Sequence, residues 1–190
     1  MDVSTAILSR TTVPPLKMGG PGPGPADLQE ILAAGAAAPD HGKLTPFRFI
    51  LIEGDSRAAL GEVFVAAARA ADPNVAEVDL DKQRRNVMRA TAVVVVVTRV
   101  RPGHKIPAEE QIAAGAAAMQ NMLIMAHARG FAAKWATGKN AYDPHIRQAL
   151  GCSQEDVITG FLLIGSLAEA HPVSAKLDPE RITMRWTGPA

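Results

Sequence analysis

The chain has 190 residues, 47% of them hydrophobic and 21% charged, enough to bury one substantial core and to read as a single domain over 1–190. Twenty basic and nineteen acidic residues leave a net charge of +1, too small a positive field for nucleic acid to be the main partner. One cysteine, Cys152, excludes an intrachain disulfide, and no apolar run reaches the roughly 18–20 residues that span a bilayer, so a soluble, cytoplasmic protein with no membrane partner is expected.

Asp2 to Ser9 reads as a short first helix with Val3, Ile7 and Leu8 on one side. Arg10-Thr11-Thr12 follows it, and Val13-Pro14-Pro15 prevents continuation. The Gly/Pro stretch 19–25 is a loop. Asp27 is the expected N-cap of an amphipathic helix over 28–38, with Leu28, Ile31 and Leu32 at i, i+3, i+4 spacing and Pro39 as its stop. Phe47 to Glu53 is strand-like, and Arg57 to Ala71 is an Ala- and Val-rich helix. Residues 72–79 read as a polar connector and 80–90 as helical, with Lys82, Arg84, Arg85 and Arg89 forming a solvated basic face.

Ala92 to Thr98, with five consecutive valines, is a strand buried on both faces. After an irregular loop at 99–108, Glu109 to Arg129 is apolar nearly all round, the mark of a central buried helix ended by Gly130. Phe131 to Ala136 is a strand, Pro144 to Leu150 a short helix and Ile158 to Ser166 a last core strand. The final 25 residues turn polar again. About four strands among five or more helices make an α+β layered domain.

The common catalytic signatures are missing. His41, His104, His127, His145 and His171 have no HxxxH or HExxH spacing, and no Cys pairs with them, which excludes a zinc site. There is no GxSxG, no GxGxxG opening a helix and no GxxxxGK[ST]. Polar clusters remain at element ends: Arg10-Thr11-Thr12, Asp40-His41-Gly42-Lys43 and Trp135 to Gly138. Arg10 with two hydroxyls has the donors to hold a phosphate, although each cluster taken alone also reads as a cap or turn.

Taken together and in order, these segments resemble the nitroreductase family of FMN-dependent oxidoreductases, and within it the small single-domain YdjA-like subgroup. The segments are Arg10-Thr11-Thr12; Leu28 to Gly35 leading to Ala38-Pro39-Asp40-His41; Pro46 to Gly54; Ala114 to Met122; Gly130 to Gly138; and Gly160 to Gly165. The resemblance implies a central, mostly antiparallel sheet flanked by helices, in an intertwined homodimer with FMN at the interface. It implies that Arg10, Thr11 and Thr12 grip the ribityl chain and phosphate, that His41 contacts the flavin, and that Trp135, Ala136 and Thr137 lie along its ring or phosphate edge. It also implies ping-pong electron transfer from NAD(P)H through flavin N5 to a nitroaromatic, quinone or similar electron-poor acceptor, with no catalytic side chain needed because the flavin carries the chemistry. The final segment would wrap the partner.

The chain departs from the family pattern at several points. Ala37 stands where the subgroup often carries Arg, Lys43 where many members carry Asn, and Thr45-Pro46-Phe47 replaces Gln-Pro-Trp. Lys43, with His41, is a candidate source of positive charge near the ring. Lys176, Arg181 and Arg185 are equal candidates for the family's C-terminal phosphate-binding base. A flavin protein of the same fold with enone or dehydrogenation chemistry, or without turnover, stays open at this point.

Overall fold

The computed structural model describes residues 1–189. Its frame is an antiparallel sheet in which a buried strand, β3 (Ala92–Thr98), lies between β2 (Phe47–Glu53) and β5 (Val157–Leu167). β4 (Ala132–Ala136) pairs with β5, and so does β1 (Met18–Gly19), a two-residue strand inside what the sequence suggested was irregular. Among the described residues, five strands stand where about four were expected. A strand of two residues is too short to carry an alternation, so the Gly/Pro composition masked it.

The valine run behaves as its pattern demands. Successive side chains point to opposite faces of a strand. Val93, Val95 and Val97 join one core cluster and Val94 and Val96 the other, all at most 1% exposed. Each buried valine is worth on the order of 1.5–3 kcal/mol against exposure.

One face is covered by α3 (Ser56–Ala71), α4 (Glu77–Arg89) and α6 (Pro144–Ala149), which contribute Leu60, Phe64, Val87 and Ile146. The other is covered by α2 (Pro25–Ala36) and α5 (Ala108–Ala128), which contribute Ile31, Met119, Met122 and Leu123.

Several helix boundaries differ from expectation for identifiable reasons. α1 (Val3–Ser9) is capped by Asp2, whose Oδ1 accepts from the Thr5 N–H at 3.0 Å. Its apolar residues Val3, Ile7 and Leu8 face outward, and only Ala6 is buried. α2 starts two residues before Asp27, because Pro25 is preorganised for the first helical position. Asp27 therefore reaches back to the Gly24 N–H, at 3.2 Å, instead of being the N-cap. α4 starts at Glu77, inside the segment read as a connector: Glu77 and Asp79 suit a helix N-terminus although they look like loop residues. On α4, Arg84 is bound by Glu62, Glu77 and Asp81, so this member of the basic face is neutralised by its own surface. No described helix is long and apolar enough to cross a membrane.

α5 lies very close to the sheet at Gly115. A Cβ there would come within 2.0 Å of Thr98 Oγ1 and 2.9 Å of Thr159 Oγ1, two buried hydroxyls that hydrogen-bond each other at 2.7 Å. Gly115→Val should therefore cost about 1–3 kcal/mol by overpacking. In thermal melts this appears as a Tm lower by roughly 2–4 °C per kcal/mol. An unchanged Tm would mean that the helix and sheet do not touch at this point.

Candidate functional site

The segment after α1 runs along the edge of β4, where the Val13 N–H donates to the Ala133 carbonyl at 3.1 Å. The C-terminal tail lies against this segment. Lys176 Nζ donates to the Arg10 carbonyl, and Thr11 Oγ1 shares a 2.7 Å hydrogen bond with Ser174 Oγ. His171 Nε2 donates to the Thr12 carbonyl at 3.1 Å. His127, in the last turn of α5, bonds Ser9 Oγ at 2.8 Å. A cleft of about 200 Å³ between these groups is lined by Arg10, Thr11, His127 and His171, with Leu123 and Phe131 as apolar walls.

Positive charge collects here without compensation. Among the described residues, no carboxylate lies within ion-pair distance of Arg10 or Lys176. Burial pushes the His127 pKa down, and the charges of Arg10 and Lys176 push it further. His171 Nδ1 is buried and has no hydrogen-bond partner. Unpaired cations on one segment are what a phosphate would satisfy. Of the three tail bases equal in the sequence, all of them exposed, Lys176 is the one hydrogen-bonded to the Arg10 segment.

The three residues at the end of β4 divide between the two faces of the sheet. Trp135 packs with the α2/α5 cluster, and its Nε1 donates to the Thr159 carbonyl at 3.0 Å. That carbonyl is available because β5 bulges at this point: Val96 pairs with Gly160 and Val97 with Ile158, leaving Thr159 without a partner on β3. Gly160 leaves room for the indole, since a Cβ would come within 2.2 Å of Trp135 Nε1.

Ala136 and Thr137 line a cavity of about 100 Å³ on the α3/α4 side. Its polar rim is Gln83, Asn86, Lys134, Thr137 and Asn140, its floor includes Phe64 and Phe161, and Pro15 connects it to the Arg10 segment. Gln83, Asn86, Lys134 and Asn140 were not singled out from sequence. The two α4 amides sit among charged residues and read as one more solvated face, although uncharged amides on an otherwise charged helix were a usable signal.

His41 and Lys43 lie elsewhere. They form an exposed 3₁₀ turn (His41–Lys43) near the start of α5, and His41 Nδ1 meets Glu110 Oε2 at 2.5 Å. Lys43 (φ 54°) and Thr45 (φ 48°) have left-handed backbones, each costing about 1–3 kcal/mol for a non-glycine residue. Asp40 holds the turn by accepting from the Thr45 N–H at 2.5 Å. His41, Glu110, Ala113 and Ala117 border an open hollow. Ala37 faces another, between α1, α2 and α5. His127 and Glu110 are 17 positions apart on α5, about 25 Å at 1.5 Å per residue, so Arg10 and His41 of one chain stand at opposite ends of that helix.

Because His127 is held below its ordinary pKa in the folded chain, the unfolded chain takes up its proton first as pH falls. This contribution to stability is intact above about pH 6.5 and is lost as pH drops from there toward the lower folded value. Melting curves at pH 7.5 and 5.5 should show the loss, and His127→Gln should reduce it. An identical pH dependence in the variant would remove His127 as a cause.

A family model described as "Nitroreductase family" matches residues 21–166. "Putative NAD(P)H nitroreductase YdjA" of Escherichia coli (strain K12) is 34% identical over 166 residues, 87% of this chain and 88% of that protein. "Putative NAD(P)H nitroreductase" of Haemophilus influenzae (strain ATCC 51907 / DSM 11121 / KW20 / Rd) is 32% identical over 167 residues, 87% of this chain and 89% of that protein. Among solved structures, a nitroreductase-like family protein from Bacillus cereus superposes with a TM-score of 0.83 at 23% identity, covering 99% of this chain and 97% of that one. A nitroreductase with bound FMN from Bacteroides fragilis NCTC 9343 gives 0.73 at 22% identity, covering 98% and 100%. The fold, the order of the segments and the match over most of the sequence agree: the chain belongs to the nitroreductase family.

Proposed function

We propose that this chain is an FMN-dependent oxidoreductase that takes electrons from NAD(P)H and delivers them, in a ping-pong cycle, to nitroaromatic, quinone or similarly electron-poor acceptors. The observation that carries the reading is the pair of uncompensated cations Arg10 and Lys176, with the imidazoles of His127 and His171 against the same segment, beside the amide-rimmed cavity at the end of β4. The names of the relatives and the FMN bound in a structural neighbour support it.

Arg10 and Lys176 would hold the phosphate, with the Thr11 and Thr12 hydroxyls along the ribityl chain. Gln83, Asn86, Asn140 and Thr137 offer donors and acceptors to a ring edge, and the nearby backbone of Ala136 stays fixed because Trp135 is anchored on the opposite face. When bound, FMN would supply the redox chemistry between NAD(P)H and the acceptor, and these residues would hold and orient it.

His41 and Lys43 stand at the opposite end of α5 from Arg10 of their own chain, a span of about 25 Å along the helix, which supports a flavin shared between two copies over one held by a single chain. We therefore read the site as shared: Arg10 to Thr12 and the β4 end from one copy, His41 and Lys43 from a second. Lys43 would then bring positive charge to the ring and favour electron uptake there. The exposed apolar surface supports such a homodimer. α1 presents Val3, Ile7 and Leu8, and the tail presents Val173, Leu177, Ile182, Met184 and Trp186, each more than 45% exposed.

The visible spectrum of freshly purified protein is the first test. Flavin bands are expected, with FMN as the released cofactor and NAD(P)H oxidised in the presence of a nitroaromatic. Arg10→Ala should weaken FMN binding by about tenfold or more, the worth of a charge-assisted hydrogen bond. A colourless protein that added FMN does not stabilise would overturn the reading. Bound flavin without nicotinamide oxidation would leave a flavoprotein with another reaction.

A further inference from the structure

The loop between β3 and α5 carries Arg99, Arg101, His104 and Lys105 and no carboxylate. It is held as a built structure. The Gln111 side chain, 2% exposed, accepts from the Arg101 N–H at 2.9 Å and donates to the Ile106 carbonyl at 2.9 Å. His104 Nδ1 accepts from the Ile106 N–H at 3.1 Å. The loop packs on the His41 turn, where a Cβ on Gly42 would come within 2.7 Å of Ile106. At its other end the Arg99 N–H donates to the Pro46 carbonyl.

Here a cavity of about 140 Å³ opens, lined by Thr45, Pro46, Arg99, Arg101, Ser153 and Asp156. Among the described residues neither guanidinium has a carboxylate within ion-pair distance. The one carboxylate in the cavity, Asp156, is buried and accepts from the Ser153 N–H at 2.9 Å. Two unpaired guanidiniums with two hydroxyls around a small polar cavity suit a phosphate monoester, whose charge and three oxygens match fork-shaped donors.

Thr45 is four residues after His41, at most about 14 Å along the chain. On the reading that His41 stands at the ring of a flavin shared between two copies, on which this inference rests, the cavity lies within that distance of a residue at the ring. A dinucleotide with its nicotinamide on that ring is long enough to reach such a cavity with its adenosine ribose. We infer that the Arg99/Arg101 cavity binds the 2′-phosphate of NADPH and makes NADPH the preferred donor over NADH.

Calorimetric titration of the protein, with and without added FMN, with 2′,5′-ADP, 5′-ADP and inorganic phosphate tests this. 2′,5′-ADP should bind about tenfold or more tightly than 5′-ADP, and the Arg99→Ala/Arg101→Ala double variant should lose the difference. Should the double variant melt well below the parent, the single Arg99→Gln variant is titrated in its place. Equal affinity for the two nucleotides, or a preference that survives in the variant, overturns the inference. Inorganic phosphate binding as tightly as 2′,5′-ADP would make this a free-phosphate site and also overturn it. The titration reads the cavity whether or not FMN is bound, so a failure of the flavin reading would appear separately, as absent FMN uptake by the unaltered protein.

Discussion

The close seating of α5 on the sheet is the constraint from which the rest of the molecule follows. Gly115 brings the helix onto the hydroxyls of Thr98 and Thr159, and any side chain there would lift it away. Thr159 is also the bulged residue of β5, and its carbonyl receives the indole of Trp135. One contact thus ties the central helix, the central strand and the strand that leads into the polar cavity. It also fixes what each end of α5 meets: the Arg10 segment and the tail at one end, the His41 turn at the other.

The electrostatics differ at these two ends. Around Arg10 the cations have no carboxylate partners, and the effect reaches His127, which is discouraged from taking a proton of its own. At the other end His41 meets Glu110, and the cost there is conformational, in the left-handed backbones of Lys43 and Thr45. Uncompensated charge and a turn held against backbone preference both disfavour the isolated fold. Such features persist where a ligand or partner repays them.

Much of this was legible in the sequence where burial dominates. The valine run announced β3, and the apolar circumference of 109–129 announced a central helix, because long apolar patterns have few structural solutions. The segments that carry the family resemblance lie in the expected order on the fold. Three kinds of feature were not legible. The β1 pair is set by its partner β5 and not by its own two residues. Gln83, Asn86 and Asn140 line one cavity only because α4 and the chain after β4 meet, a tertiary event without local pattern. The face on which Trp135 points depends on strand register, which the sequence of β4 alone does not specify. Lys176 emerged from three equivalent tail bases for a similar reason: only the path of the tail brings it to Arg10.

The central claim is that one flavin draws on two copies of the chain, and subunit mixing tests it most directly. Arg10→Ala and His41→Ala chains, differently tagged, are co-expressed, and the mixed dimer is isolated and titrated with FMN. Each variant alone should bind FMN weakly at both sites. In the mixed dimer one site combines the intact Arg10 of one chain with the intact His41 of the other, so one tightly bound FMN per dimer is expected. A mixed dimer with no tight site would mean that each chain holds its flavin alone and would contradict the account.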